Sequence, residues 1–157
     1  MHYNEHQRAE SILAQLDSLN LDGKTVFFPV LGDVMLYSTA KYLLDALNID
    51  AEFVPGISAH SLAAATAKRF LAMKDEIFTV ISGTADPQRI RLALNACDCA
   101  AVYKPGVIGD WRELAGGFEA VRVDYAGMGE RERVITGEAA LTGITDYLSI
   151  LLLWRTK

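Results

Sequence analysis

Gly32-Asp33-Val34-Met35-Leu36-Tyr37-Ser38-Thr39 decides how this chain reads. An apolar run, Lys24 to Leu31, leads into it with the composition of a strand covered on both faces. Beyond it, Leu36, Ala40, Leu43, Leu44 and Leu47 recur at helical spacing, which predicts an amphipathic helix from Met35 to Asn48. In parallel α/β architectures ligands bind at the carboxyl ends of strands, where loops turn into helices. Gly32 lets a ligand approach the backbone closely. Asp33 can cap the helix or meet a ligand donor, and local chemistry alone favours the cap.

On the amino-terminal side, Ile12, Leu13, Leu16 and Leu19 predict a helix over 4–19, stopped by the turn signal Asp22-Gly23. Pro29 places the following strand at an edge, or itself at a strand end. On the other side, Ala51 to Val54 reads as a short strand closed by Pro55-Gly56. Ser58 is an N-cap for a slim, alanine-rich helix from Ala59 to about Phe70, with Lys68 and Arg69 complementing the dipole of its last turn. Glu76 to Ser82 is a strand, and Asp86-Pro87 opens a helix with Ile90, Ala93 and Leu94 as its buried stripe. Ala100 to Tyr103 is a strand, and Asp110 to Leu114 a short helix broken at Gly116-Gly117. Three more strands follow: Ala120 to Tyr125, Glu132 to Ile135 and Tyr147 to Trp154, the last two expected to be antiparallel. The continuously apolar Ile150 to Trp154 suits a central strand or a subunit contact, and Trp111 and Trp154 read as core or interface anchors.

Composition narrows the function classes. The 157 residues are 51% hydrophobic and 22% charged, ample for a buried core in one or two domains. The net charge of −5 and the lack of a basic run argue against nucleic acid or an acidic membrane as partners. No apolar stretch reaches membrane-span length and the first residues do not read as a signal peptide; two cysteines without an ordinary disulfide fit a reducing cytoplasm. Cys97 and Cys99 are too close for an ordinary disulfide and too few for a metal site, and read as small core residues. No Ser/His/Asp, Cys/His or metal-ligand constellation stands out; metal ligands and catalytic side chains are both expected to be none. His2, His6 and His60 are scattered, and only His60 lies beside a motif.

Taken together, Leu31-Gly32-Asp33, Met35 to Thr39 and Tyr42-Leu43 resemble the tetrapyrrole (corrin/porphyrin) methylase family, closest to its precorrin-2 or cobalt-factor II C(20)-methyltransferases. Phe53-Val54-Pro55-Gly56-Ile57-Ser58, Val102-Tyr103-Lys104-Pro105-Gly106, Gly127-Met128 with Arg131 to Ile135, and Tyr147-Leu148-Ser149-Ile150 extend the resemblance over nearly the whole chain. It implies an α/β fold with a mixed sheet flanked by helices, mostly the second domain of a two-domain protein. Residues 1–54 would be a remnant of the first domain, residues 55–157 the second domain. The family's opening strand and Gly-rich loop have no counterpart here, and Val34 stands where the family usually has proline.

The implied activity is methyl transfer from S-adenosylmethionine, leaving S-adenosylhomocysteine, to C-20 of precorrin-2 or cobalt-factor II in cobalamin biosynthesis, by a homodimer. Such a displacement at a sulfonium needs alignment and exclusion of water more than covalent help, so the missing catalytic constellation is compatible with it. The resemblance places the cofactor in the cleft between the domains. It assigns cofactor contacts to Gly32, Asp33, Leu36, Ser58, Ala59, Tyr103, Met128 and Ser149. For each, a cap, turn or core role is the plainer alternative. Lys104, Arg131 and Arg133 are the candidates for the carboxylates of a tetrapyrrole substrate. Two other readings stay open: a methylase with a different acceptor, and a non-catalytic remnant that binds a cofactor or a partner chain.

Overall fold

A computed structural model describes residues 5–17, 23–47 and 50–156, arranged as two units, Met1–Ser58 and Ala59–Lys157. The first unit holds helices α1 (Glu5–Asp17) and α2 (Ala40–Leu47), which pack on one another; Ala40 and Leu43 of α2 are buried. An ion pair one helical turn apart, Lys41 to Asp45 at 2.7 Å, lies on the exposed side of α2. The ends of the first predicted helix (Asn4, Ser18 and Leu19), Asp22 of the turn signal and Asn48 lie outside the described residues.

Two predicted strands are corrected here. Residues 24–31 and 51–54 form no ladder among the described residues. Their composition suits a strand, but a strand exists only by pairing with a neighbour. Val26, Phe27, Phe28, Leu31, Phe53 and Val54 are exposed instead, Phe27 to 87%. The second helix also starts later than predicted. Residues 34–39 form turns, with Tyr37 in the left-handed region at φ 52°, and the Ser38 hydroxyl accepts the Ala40 N–H at 3.1 Å to cap α2.

In the second unit the order is α3 (Ala59–Thr66), β1 (Phe78–Ser82), α4 (Pro87–Asn95), β2 (Cys99–Tyr103), β3 (Phe118–Asp124), β4 (Arg133–Thr136), α5 (Glu138–Leu141) and β5 (Ser149–Arg155), with 3-10 turns at Pro105–Val107 and Gly129–Arg131. The strands form one mixed sheet in the order β1-β2-β5-β3-β4. β1 and β2 are parallel; β5 is antiparallel to both β2 and β3, and β4 is antiparallel to β3. The expected antiparallel pairing of the last two strands is therefore corrected. The last strand enters the middle of the sheet, and β4 takes the edge beyond β3.

The period of two along the strands sorts the core onto two faces. Ala100, Val102, Ala120, Leu151 and Leu153 point to one side, where they meet Ile90 and Leu94 of α4, Ala140 of α5, and Trp111. Ala101, Val121, Val123, Ile150 and Leu152 point to the other, against Ala63 and Ala64 of α3. Both cysteines are buried and free, and burial pushes both thiols up in pKa. Trp111 is fully buried and donates its indole N–H to Pro105 O at 2.9 Å, whereas Trp154 donates to Phe70 O.

Three local expectations shift. α3 ends at Thr66 because Lys68 turns left-handed (φ 53°), with Lys68 N–H bonded to Ala65 O and Arg69 N–H to Ala64 O. Lys68 and Arg69 therefore lie past the helix, and Arg69 pairs with Glu119 at 2.8 Å while lying 3.9 Å over the Trp154 ring. Residues 112–117 form turns rather than the short helix predicted from Asp110. The Asp86-Pro87 start is as read: Asp86 Oδ1 accepts from Gln88 and Arg89 N–H, with Pro87 in the first turn.

Removing side-chain volume at the sheet centre should cost more than removing a cap. Leu152→Ala is expected to lower the unfolding free energy by about 3 kcal/mol and Asp86→Ala by about 1 kcal/mol. Urea unfolding followed by tryptophan fluorescence reads both.

Candidate functional site

In the first unit, Gly32 at φ 81° turns the chain and presents Asp33. The Asp33 carboxylate accepts the Met35 N–H at 2.9 Å through Oδ1, and its carbonyl accepts the Leu36 N–H at 3.3 Å. Its other oxygen, Oδ2, accepts the Ser58 hydroxyl at 2.8 Å. Two segments separated by 25 residues are thus tied by one carboxylate. Their backbones are equally close: a Cβ at Gly56 would collide with the Gly32 carbonyl oxygen, and one at Gly32 would lie 3.5 Å from Ile57 O. Gly32, Asp33, Leu36 and Ser58 therefore come together, with Asp33 half-buried and the apolar side chains of Leu31, Met35 and Ile57 exposed.

In the second unit, Tyr103 ends β2. Its hydroxyl lies 2.8 Å from His60 Nδ1 and accepts the His60 backbone N–H at 3.3 Å. His60 is in the first turn of α3, directly after Ala59, and its ring lies 5.5 Å from that of Phe78. Lys104 follows in the left-handed region (φ 54°), starting the turn at Pro105–Val107. Gly83, at the end of β1, donates its N–H to Tyr103 O at 2.7 Å, and a Cβ there would stand 2.5 Å from Lys104 O. Only glycine permits this approach, and no motif in the sequence pointed to it.

A second polar cluster lies where β3, β4 and β5 meet. Asp124 is fully buried and accepts the Ser149 hydroxyl at 2.6 Å and Arg133 Nη2 at 3.2 Å. Arg122 Nε faces Asp124 Oδ1 at 3.2 Å, close enough for an ion pair but outside hydrogen-bond geometry, and its Nη1 donates to Thr142 O. Arg133 also pairs with Asp146, whose Oδ1 accepts the Tyr125 hydroxyl at 2.8 Å. Arg131 stacks 4.0 Å over the Tyr125 ring. Ser149 and Arg133 are thus held by acids, Arg131 by an aromatic face. Met128 sits in the turn after β3, half-buried, with its N–H bonded to Tyr125 O. Asp124, Glu132 and Gly83 went unread in the sequence because single residues in strands and turns carry no spacing signal.

Among the described residues no group of three or more His, Cys, Asp or Glu is placed to hold a metal ion, and no helix is long and apolar enough to cross a membrane. The chemistry available is donor, acceptor and shape: one anchored carboxylate, close backbone approaches at glycines, and a buried ion network.

The family description Tetrapyrrole (Corrin/Porphyrin) Methylases matches residues 2–141. Cobalt-precorrin-2 C(20)-methyltransferase of Salmonella typhimurium is 39% identical over 84 residues, which cover 52% of this chain and 35% of that protein. The match therefore spans about a third of the length of that relative. Among solved structures, the methyltransferase CobJ is similar with a TM-score of 0.66 at 21% identity, covering 97% of this chain and 72% of that one. Uroporphyrin-III C-methyl transferase of Thermus thermophilus, complexed with S-adenosyl homocysteine, gives 0.63 at 15% identity over 96% and 74%. At these identities the structural likeness shows the fold.

The ion network generates a pH dependence. The Tyr125 hydroxyl, and then Arg133, hold the Asp146 carboxyl below its usual range. A depressed folded pKa contributes stability that is present above the unfolded value of about 3.9 and is lost as pH falls through the folded one. Asp146→Asn should therefore flatten the fall in melting temperature between about pH 5 and pH 2, measured by circular dichroism.

Proposed function

The chain belongs to the tetrapyrrole (corrin/porphyrin) methylase family, and from that premise we propose that it transfers a methyl group from S-adenosylmethionine to C-20 of precorrin-2 or cobalt-factor II, in cobalamin biosynthesis. The single observation that carries the cofactor reading is Asp33. Its carboxylate is held by a backbone N–H and the Ser58 hydroxyl, where the Gly32 and Gly56 backbones of two segments approach closely. An ionised carboxylate accepts hydrogen bonds only and carries the charge opposite to the cationic methionine end of the cofactor. On this ground the residues present fit S-adenosylmethionine. The acceptor position rests on the identity to the C(20)-methyltransferase.

The cofactor supplies an electrophilic methyl group. The protein's part is to bind, orient and keep water away. Gly32, Asp33, Leu36 and Ser58 in the first unit, and Ala59, Tyr103, Met128 and Ser149 in the second, are the proposed cofactor contacts. Ser149 would act through its backbone, because its hydroxyl is committed to Asp124. Lys104, Arg131 and Arg133 are the cations proposed to receive substrate carboxylates. Arg133 would do so while still paired with Asp124 and Asp146. We take the acting form to be a homodimer.

One observation favours a second reading, cofactor binding without turnover. Val26, Phe27, Phe28 and Leu31 are exposed, and residues 24–31 form no ladder among the described residues, beside the very loop that holds Asp33.

Calorimetric titration with S-adenosylhomocysteine tests the cofactor reading. Binding in the micromolar range is expected, weakened at least about tenfold in Asp33→Ala, since a hydrogen bond to a charged group is worth about 1.5–3 kcal/mol. No heat from the folded wild-type chain contradicts it. Methyl transfer to precorrin-2 in the bound protein then separates turnover from binding alone.

A further inference from the structure

The turn from Tyr125 to Glu132 is not a self-sufficient structure. It contains three left-handed residues, Tyr125 (φ 54°), Gly127 (φ 76°) and Gly129 (φ 58°). Left-handed backbone is costly for a tyrosine, by about 1–2 kcal/mol. Three internal backbone hydrogen bonds cross the turn, Met128 N–H to Tyr125 O, Arg131 N–H to Met128 O and Glu132 N–H to Gly129 O. Gly127 and Gly129 are exposed. Such a segment needs an outside hold to keep one conformation.

Glu132 supplies it. Its Oε2 accepts the Gly127 N–H at 2.6 Å and the Thr66 hydroxyl at 3.2 Å. One carboxylate oxygen thereby latches the turn to the last residue of α3. Leu62, one helical turn before Thr66, lies beneath the same glycine, with Cδ2 3.0 Å from where a Cβ on Gly127 would be. A carboxylate bonded to a backbone N–H is a strong, charge-assisted contact. Met128 is the next residue, so its backbone is tied to α3 through this latch.

We infer that Glu132 is a positioning residue: it fixes the Gly127-Met128 turn against α3 so that Met128 is preorganised for the cofactor. The inference rests on the S-adenosylmethionine reading above and adds a residue to which that reading assigns no role. Glu132 does not touch the reacting atoms; it acts through Gly127. The turn that carries Met128 and the helix that begins at Ala59, each bearing a proposed cofactor contact, are joined by this one side chain.

The test is calorimetric titration of the full chain with S-adenosylhomocysteine, in wild type, Glu132→Ala and Glu132→Gln, with circular dichroism as a check of folding. Glu132→Ala is expected to weaken binding about tenfold. Glu132→Gln keeps an amide oxygen that accepts the Gly127 N–H, and is expected to recover affinity to within about threefold of wild type. In turnover, the loss should appear in KM for the methyl donor more than in kcat. Folded Glu132→Ala that binds as tightly as wild type overturns the inference while leaving the cofactor reading intact. Wild type that does not bind sinks both. Should Glu132→Ala fail to fold, Thr66→Val removes one leg of the latch, and a two- to threefold weakening is expected; unchanged affinity there overturns the inference.

Discussion

The second unit depends on burying the strand Ser149–Arg155 on both faces and both edges. Its neighbours are β2 on one edge and β3 on the other, both antiparallel to it. Leu151 and Leu153 serve one core cluster, and Ile150, Leu152 and Trp154 the other. A segment this apolar is stable only where every backbone group is paired and every side chain is covered. Once it is in the middle, β1-β2 and β3-β4 become its two wings. The helices then have to cover the two faces of a mixed sheet.

The same strand begins at a polar point. Ser149 donates to the buried Asp124, and Arg122, Arg133, Asp146 and Tyr125 close the network around it. Burying charges costs free energy that pairing only partly offsets. Arg122 Nε, buried and outside hydrogen-bond geometry, shows that the network is not fully satisfied. What it supplies is registry: β3, β4 and β5 are held at one end, next to the turn that carries Met128. The proposed cofactor contacts of this unit thus sit at the ends of strands and of a helix and in one turn beside the sheet, which suits a reaction that needs alignment more than covalent chemistry.

Much of this was legible in the sequence. The uninterrupted run Ile150 to Trp154 read as a central strand or a subunit contact, and it forms the central strand; Asp86-Pro87 started a helix where its chemistry said. Family membership was legible in Leu31-Gly32-Asp33 and the motifs spaced after it, which the match over residues 2–141 now supports. The strands over 24–31 and 51–54 were misread because composition reports what a segment prefers, whereas a ladder requires a partner. α3 ends early at a lysine, not at the glycine that usually marks a left-handed end. At the candidate site, the contact of Asp33 with Ser58 spans 25 residues, and the latch from Glu132 to Thr66 spans 66. Such pairings arise from the fold and leave no local pattern.

Amide hydrogen exchange with and without S-adenosylhomocysteine tests the account most directly. The amides of Leu151, Leu152 and Leu153 should be the slowest in the chain and indifferent to the ligand. The ligand should slow exchange at Asp33 to Leu36, Gly56 to Ser58, Tyr103-Lys104 and Met128, while residues 24–30 stay fast. Exchange at Leu151–Leu153 as fast as at 24–30, or ligand protection absent from those four segments, would contradict the account.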